Sequence, residues 1–68
     1  MTNTSLLKQR IEESGLRRGF LAEKLGISIE SFRRKVNGET QFLSEEIVAL
    51  TRLLHIENVE EYFFDLRG

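Results

Sequence analysis

Apolar residues recur every three or four positions in several stretches of the chain, and glycines or short polar segments separate these stretches. That spacing places apolar side chains on one face of an α-helix. The pattern predicts five helices, over residues 5–14, 18–25, 29–36, 45–54 and 59–64. No stretch follows the two-residue period of a β-strand, so we expect an all-α fold that forms one domain over residues 1–68.

Residues suited to end or begin a helix lie at these boundaries. Gly15 and Gly26 follow the first and second helices, where glycine is favoured because it adopts the left-handed backbone of a helix end. Asn37-Gly38 breaks the chain after the third helix. Asn58 and Glu61 form a predicted capping box at the fifth. Three further polar residues are expected as N-caps: Thr4, Ser28 and Ser44.

The net charge of −1 is unevenly distributed along the chain. Residues 1–36 hold eight basic and four acidic side chains, a net charge of +4. Residues 37–68 hold two basic and seven acidic side chains, a net charge of −5. One face is therefore expected to suit the phosphates of a nucleic acid, while the acidic half stays in solvent.

The sequence offers little for catalysis or metal binding. It contains no cysteine, and its single histidine, His55, is expected to be a helix-end cation or a packed side chain. The adjacent glutamates at 45–46 and 60–61 are expected to be charges at helix starts. We expect no enzyme activity, metal, cofactor or small-molecule substrate. With short apolar runs and no pattern of a signal peptide, we expect a cytoplasmic protein without membrane contact.

The segment from Arg18 to Gly38 has the pattern that a helix-turn-helix requires. Gly26 turns the chain sharply, and Ser28 begins helix 3 two residues later. Phe32 and Val36 form the inward side of helix 3. The opposite side carries residues suited to base edges and phosphates, namely Ile29, Glu30, Arg33, Arg34 and Asn37.

Several residues of helix 3 have two interpretations. Glu30 either forms an ion pair with an arginine one turn along the helix or accepts a hydrogen bond from a base. Ser28 is first a helix cap, and any phosphate contact is secondary. Ser31 either contacts DNA or fills the surface. Lys35 lies at the side of this surface, and we expect contact with DNA and exposure to solvent alone equally.

This segment resembles the Cro/cI-type, lambda-repressor-like helix-turn-helix of phage and bacterial regulators. The family domain has two further helices after this unit, so the resemblance covers nearly the whole chain and implies a compact five-helix domain. Two departures are Ile11 with Val36, where many repressors have an arginine–glutamate pair, and Ile29-Glu30, where polar side chains are usual. The matching residues are Gly15-Leu16, Leu21-Ala22, Leu25-Gly26-Ile27-Ser28 and Asn37-Gly38.

The resemblance implies a sequence-specific regulator that binds a double-stranded DNA operator, of Cro-like or excisionase size and of phage or mobile-element origin. By position, it implies that Arg18 holds a phosphate and that Ile29, Glu30 and Arg34 contact bases. Asn37 and the loop of residues 39–42, which includes Thr40, would lie against the DNA backbone.

The last residues are apolar on more than one side. Either they cover the core with partial exposure, or Tyr62, Phe64 and Leu66 form a homodimer interface, which we favour. Phe20 is a further candidate for an exposed aromatic, with packing against Lys24 or helix 1 as the alternative. A competing class is a protein-interaction adaptor that keeps the fold without binding DNA, supported by Glu30, the acidic second half and a pI near 5.8.

Overall fold

The computed structural model describes residues 2–64, and within that range the fold is entirely helical. The prediction of an all-α fold is confirmed. Each predicted helix boundary lies within one residue of the observed one. The helices are α1 Thr4–Ser14, α2 Arg18–Leu25, α3 Ile29–Val36, α4 Ser44–Leu54 and α5 Val59–Phe63.

Three of these helices end at a residue with left-handed backbone. Gly15 follows α1 with a φ of 72°, and Gly26 follows α2 with a φ of 73°, as the sequence predicted. His55 follows α4 with a φ of 54°, and it is the single non-glycine residue with positive φ in the described range. Side chains with a Cβ rarely adopt this conformation, so His55 holds an unfavourable backbone.

Two predicted N-caps are wrong by one residue. Asn3 caps α1 in place of Thr4, because its Oδ1 accepts a hydrogen bond from the Leu6 N–H at 3.1 Å while Thr4 is already helical. Likewise, Ser44 is the first residue of α4, and the cap position belongs to Leu43, whose side chain makes no capping hydrogen bond. At α1 two neighbouring polar residues, Asn3 and Thr4, are both suited to the cap, so the choice between them depends on tertiary contacts.

The other two predicted caps are confirmed. The Ser28 Oγ accepts a hydrogen bond from the Ser31 N–H at 3.1 Å at the start of α3. The Asn58 Oδ1 accepts from the Glu61 N–H at 3.3 Å at the start of α5, and the Glu61 carboxylate accepts from the Asn58 side chain at 3.2 Å. Both helices therefore begin where the sequence placed them.

One cluster of buried apolar side chains, supplied by all five helices and the loops between them, forms the core. Phe42, in the loop before α4, packs edge-to-face against Phe32 and Phe63, with ring centroids 6.4 and 5.6 Å apart. Such pairs contribute about 0.5–1.5 kcal/mol each beyond burial. Phe42 thus anchors the loop that follows α3 to the core.

The packing of the helices places α3 at the edge of this core. α2 contacts both α3 and α4, and α1 contacts α3, α4 and α5. Ile11 of α1 and Val36 of α3 are both buried core residues. Ile11 and Val36 are therefore apolar core residues at the two positions where the family resemblance implies a charged pair. Because both are apolar, no buried charge is left without a partner there.

Candidate nucleic-acid interface

A three-residue turn, Gly26 to Ser28, connects α2 to α3. The Gly26 N–H donates to the Glu23 carbonyl at 3.0 Å, and the Ile27 N–H donates to the Ala22 carbonyl at 3.1 Å. These bonds satisfy the last carbonyls of α2 while the left-handed Gly26 reverses the chain. Ser28 then returns to extended backbone, with φ −71° and ψ 157°, and caps α3.

The two sides of α3 differ sharply in exposure. Phe32 and Val36 are fully buried, whereas Ile29 is 60% exposed. The side chains of Glu30, Arg33 and Arg34 are each more than half exposed. The predicted division of α3 into an inward apolar side and an outward polar side is confirmed.

Glu30 contacts both arginines of this outward surface. Its Oε1 accepts a hydrogen bond from the Arg33 Nη2 and lies 3.8 Å from the Arg34 Nε. The sequence left two interpretations of Glu30 open. The structure shows the first of them, an ion pair within the helix. Exposed pairs of this kind contribute little to stability, so they exchange readily for other partners.

Lys35 is directed away from this surface. Its Nζ lies 2.5 Å from the Glu46 Oε1, and the two side chains are 14% and 7% exposed. The same carboxylate oxygen accepts a hydrogen bond from the Leu43 N–H at 2.9 Å. Glu46 therefore joins the end of α3 to the start of α4, and Lys35 is not a free cation.

Glu46 lies in the first turn of α4, as the sequence predicted, but it is also buried and paired with Lys35, which was not predicted from the sequence. Its position along α4 gives the reason, because Glu46 precedes the fully buried Leu50 and Leu54 by four and eight residues. Extending that apolar stripe one turn backwards would have placed Glu46 on the inward side. A buried carboxylate requires a partner, which Lys35 supplies.

The start of α2 lies beside the start of α3. A Cβ at Gly19 would stand 3.8 Å from the Ile29 Cδ1, an ordinary contact distance. Arg18, the first residue of α2, is half-buried next to this contact. The structure thus places the first turn of α2, in which Arg18 lies, beside Ile29 on the outward surface of α3.

The loop after α3 carries the remaining predicted contacts. Asn37 is half-buried and donates its N–H to the Arg33 carbonyl at 3.0 Å, while Thr40 is exposed. A Cβ at Gly38 would approach the Thr4 Cγ2 to 3.1 Å, so this loop rests against the start of α1. Ser31 is half-buried and contributes less to the surface than its neighbours on α3.

Two of the three predicted dimer residues lie at the end of α5, Tyr62 within the helix and Phe64 directly after it. Tyr62 is half-buried, with its ring centroid 6.4 Å from that of Phe63, and Phe64 is 53% exposed. Leu66 lies outside the described residues. Phe20 on α2 is 41% exposed, as proposed for an exposed aromatic, and the Lys24 ammonium also lies 5.5 Å from its ring centroid, so both interpretations hold.

No protein-family model matches the chain, and neither a curated protein nor a solved structure matches it. Within residues 2–64, no helix has the length and apolar character needed to cross a bilayer. The same residues bring together no group of three or more acidic or histidine side chains that could hold a metal ion.

Proposed function

We propose that this chain is a sequence-specific double-stranded DNA-binding regulator with a lambda-repressor-like helix-turn-helix, in which α3 enters the major groove. One observation carries the proposal: directly after the left-handed turn at Gly26, α3 buries Phe32 and Val36 and exposes its opposite side. An α-helix with its side chains is about 10–12 Å in diameter, which the roughly 12 Å wide major groove admits.

The exposed side chains suit different parts of the duplex. An arginine such as Arg34 donates two hydrogen bonds to the O6 and N7 of guanine, and an apolar side chain such as Ile29 contacts the thymine methyl group. Contacts with phosphates would set the register of α3 without selecting sequence. The residues proposed to contact phosphates are Arg18, Ser28, Asn37 and Thr40. Ser31 and Arg33 could contact either a base or a phosphate.

The size of the chain supports a homodimer. The structure measures 29 × 22 × 19 Å, whereas successive major-groove half-sites on one side of a duplex lie about 34 Å apart. One copy therefore reaches a single half-site. We propose that a second copy occupies the other, with the exposed Phe64 and the neighbouring Tyr62 at the seam.

A second candidate is a protein-interaction adaptor that has the same fold and does not bind DNA. The contacts of α3 favour it, because Lys35 is bound to Glu46 and Glu30 offsets one arginine. The exposed charge of α3 is then two arginines against one glutamate, a net +1, which is low for a surface that meets phosphates.

Selection of bound fragments from random duplexes, followed by a salt titration on the selected sequence, separates the two candidates. A DNA-binding protein should select a defined motif and lose affinity steeply as salt rises. Arg34→Ala should weaken binding about tenfold or more, whereas Arg52→Ala, on the exposed side of α4, should change it less than about twofold. Equal effects would remove α3 from the interface, and absence of binding at any salt would favour the adaptor.

A further inference from the structure

A carboxylate stands at the centre of the surface that α3 offers to DNA. Glu30 is the second residue of the helix, its side chain is 56% exposed, and it contacts Arg33 and Arg34 together. The two arginines that would bind guanine or phosphate are therefore both paired before DNA arrives.

The chemistry of the major groove restricts what can replace these pairs. An ionised carboxylate only accepts hydrogen bonds. In the major groove, only the amino groups of cytosine (N4) and adenine (N6) donate, whereas guanine offers acceptors, and thymine an acceptor and a methyl group. Facing an acceptor or a phosphate, the Glu30 carboxylate would be repelled.

We infer that Glu30 is a specificity-determining residue that excludes DNA sites with guanine or thymine, in place of cytosine or adenine, on the strand that its carboxylate faces. At a site with the amino donor of cytosine or adenine, the Glu30 carboxylate gives up its ion pairs and accepts a hydrogen bond from the base. Arg33 and Arg34 are then free to bind guanine or phosphate. At any other site the carboxylate finds no donor on the DNA, so it stays paired and keeps the arginines from phosphate and base. This inference rests on the proposed function.

The structure makes the exchange feasible. Both pairs lie within one helix, at a spacing of three and four residues, and all three side chains are more than half exposed. Exposed pairs at this spacing stabilise a helix only weakly, so breaking them leaves α3 intact. By contrast, the Lys35–Glu46 pair has side chains that are only 14% and 7% exposed, and it lies away from the outward surface of α3.

Glu30→Gln tests the inference, because it removes the charge and preserves the shape. Glu57→Gln makes the same change in net charge at an exposed residue between α4 and α5, and serves as the control. For each protein, affinities are measured across a salt series for the selected duplex and for a scrambled duplex. A circular dichroism spectrum verifies that the helices are retained.

We expect Glu30→Gln to tighten binding to the scrambled duplex and to lower the ratio of selected to scrambled affinity by about tenfold. The dependence of log affinity on log salt for the scrambled duplex should steepen by about one, since an arginine becomes free to neutralise a further phosphate. A repeated selection with the variant should lose its preference for cytosine or adenine at one position.

Other results overturn the inference, and they identify which proposal fails. If the unaltered protein selects a motif and Glu30→Gln keeps its selectivity and salt dependence, the role of Glu30 is refuted and the proposed function stands. If Glu57→Gln lowers the affinity ratio as much, the effect belongs to net charge and the inference is also refuted. If the unaltered protein binds no duplex, the proposed function fails and this inference fails with it.

Discussion

The Lys35 ammonium and the Glu46 carboxylate form the least exposed of the ion pairs found in residues 2–64, with 2.5 Å between Nζ and Oε1. The pair crosses from α3 to α4, and the same carboxylate oxygen bonds to the Leu43 N–H. When one partner of a buried ion pair is removed, the other charge stays buried and its desolvation penalty is no longer offset. Breaking this pair should therefore destabilise the fold more than breaking a surface pair does.

Lys35→Met should therefore lower the free energy of unfolding by roughly 2–4 kcal/mol, measured by urea denaturation, because it leaves the Glu46 carboxylate buried without a cation. Lys35→Met combined with Glu46→Gln should recover part of the loss. The control is Arg10→Met, which breaks the more exposed Arg10–Glu13 pair at 3.8 Å and should cost less than about 1 kcal/mol. Equal losses for the two single variants would contradict the prediction.

Gly26 and His55 share a left-handed backbone at a helix end, and substitutions there should act in opposite directions. Gly26→Ala should destabilise by about 1 kcal/mol, since a Cβ there meets nothing within 4 Å and the cost is conformational. His55→Gly should stabilise by up to about 1 kcal/mol. A change of 1 kcal/mol shifts Tm by roughly 4–8 °C in a domain of this size, so thermal denaturation can measure both. Shifts of the same sign would show that conformation is not the cause.

Much of the fold could be predicted because local signals agree with one another. Gly15 and Gly26 occupy the helix ends that glycine favours, and the four-residue steps from Leu7 to Ile11 and from Phe32 to Val36 identify buried sides that packing then confirms. The outward surface of α3 followed from the same spacing, since residues opposite Phe32 have nowhere else to point.

What the sequence did not reveal depends on contacts between distant residues. Lys35 and Glu46 are eleven positions apart, and their pairing follows from the packing of α3 and α4. The choice of Asn3 over Thr4 as cap has the same origin. Asn3 donates its N–H to the Tyr62 carbonyl at 2.7 Å, and Thr4 lies against Gly38, contacts that no local pattern contains.

The dimer proposal predicts concentration-dependent association, which sedimentation equilibrium measures directly. Phe64→Ser should weaken self-association about tenfold or more if the aromatic ring is buried at the seam. Phe20→Ser removes a partly exposed aromatic from α2 and should leave association unchanged. A chain that stays monomeric at high concentration, with and without DNA, would refute the dimer.

The hydrogen bond from the Asn3 N–H to the Tyr62 carbonyl has a consequence for protein engineering. It places the two ends of the described segment side by side, so the path of the chain nearly closes on itself. This segment could therefore be inserted into a surface loop of a carrier protein without moving the two ends of that loop far apart. Short connectors should suffice for such an insertion, and they would leave α3 attached to its own scaffold.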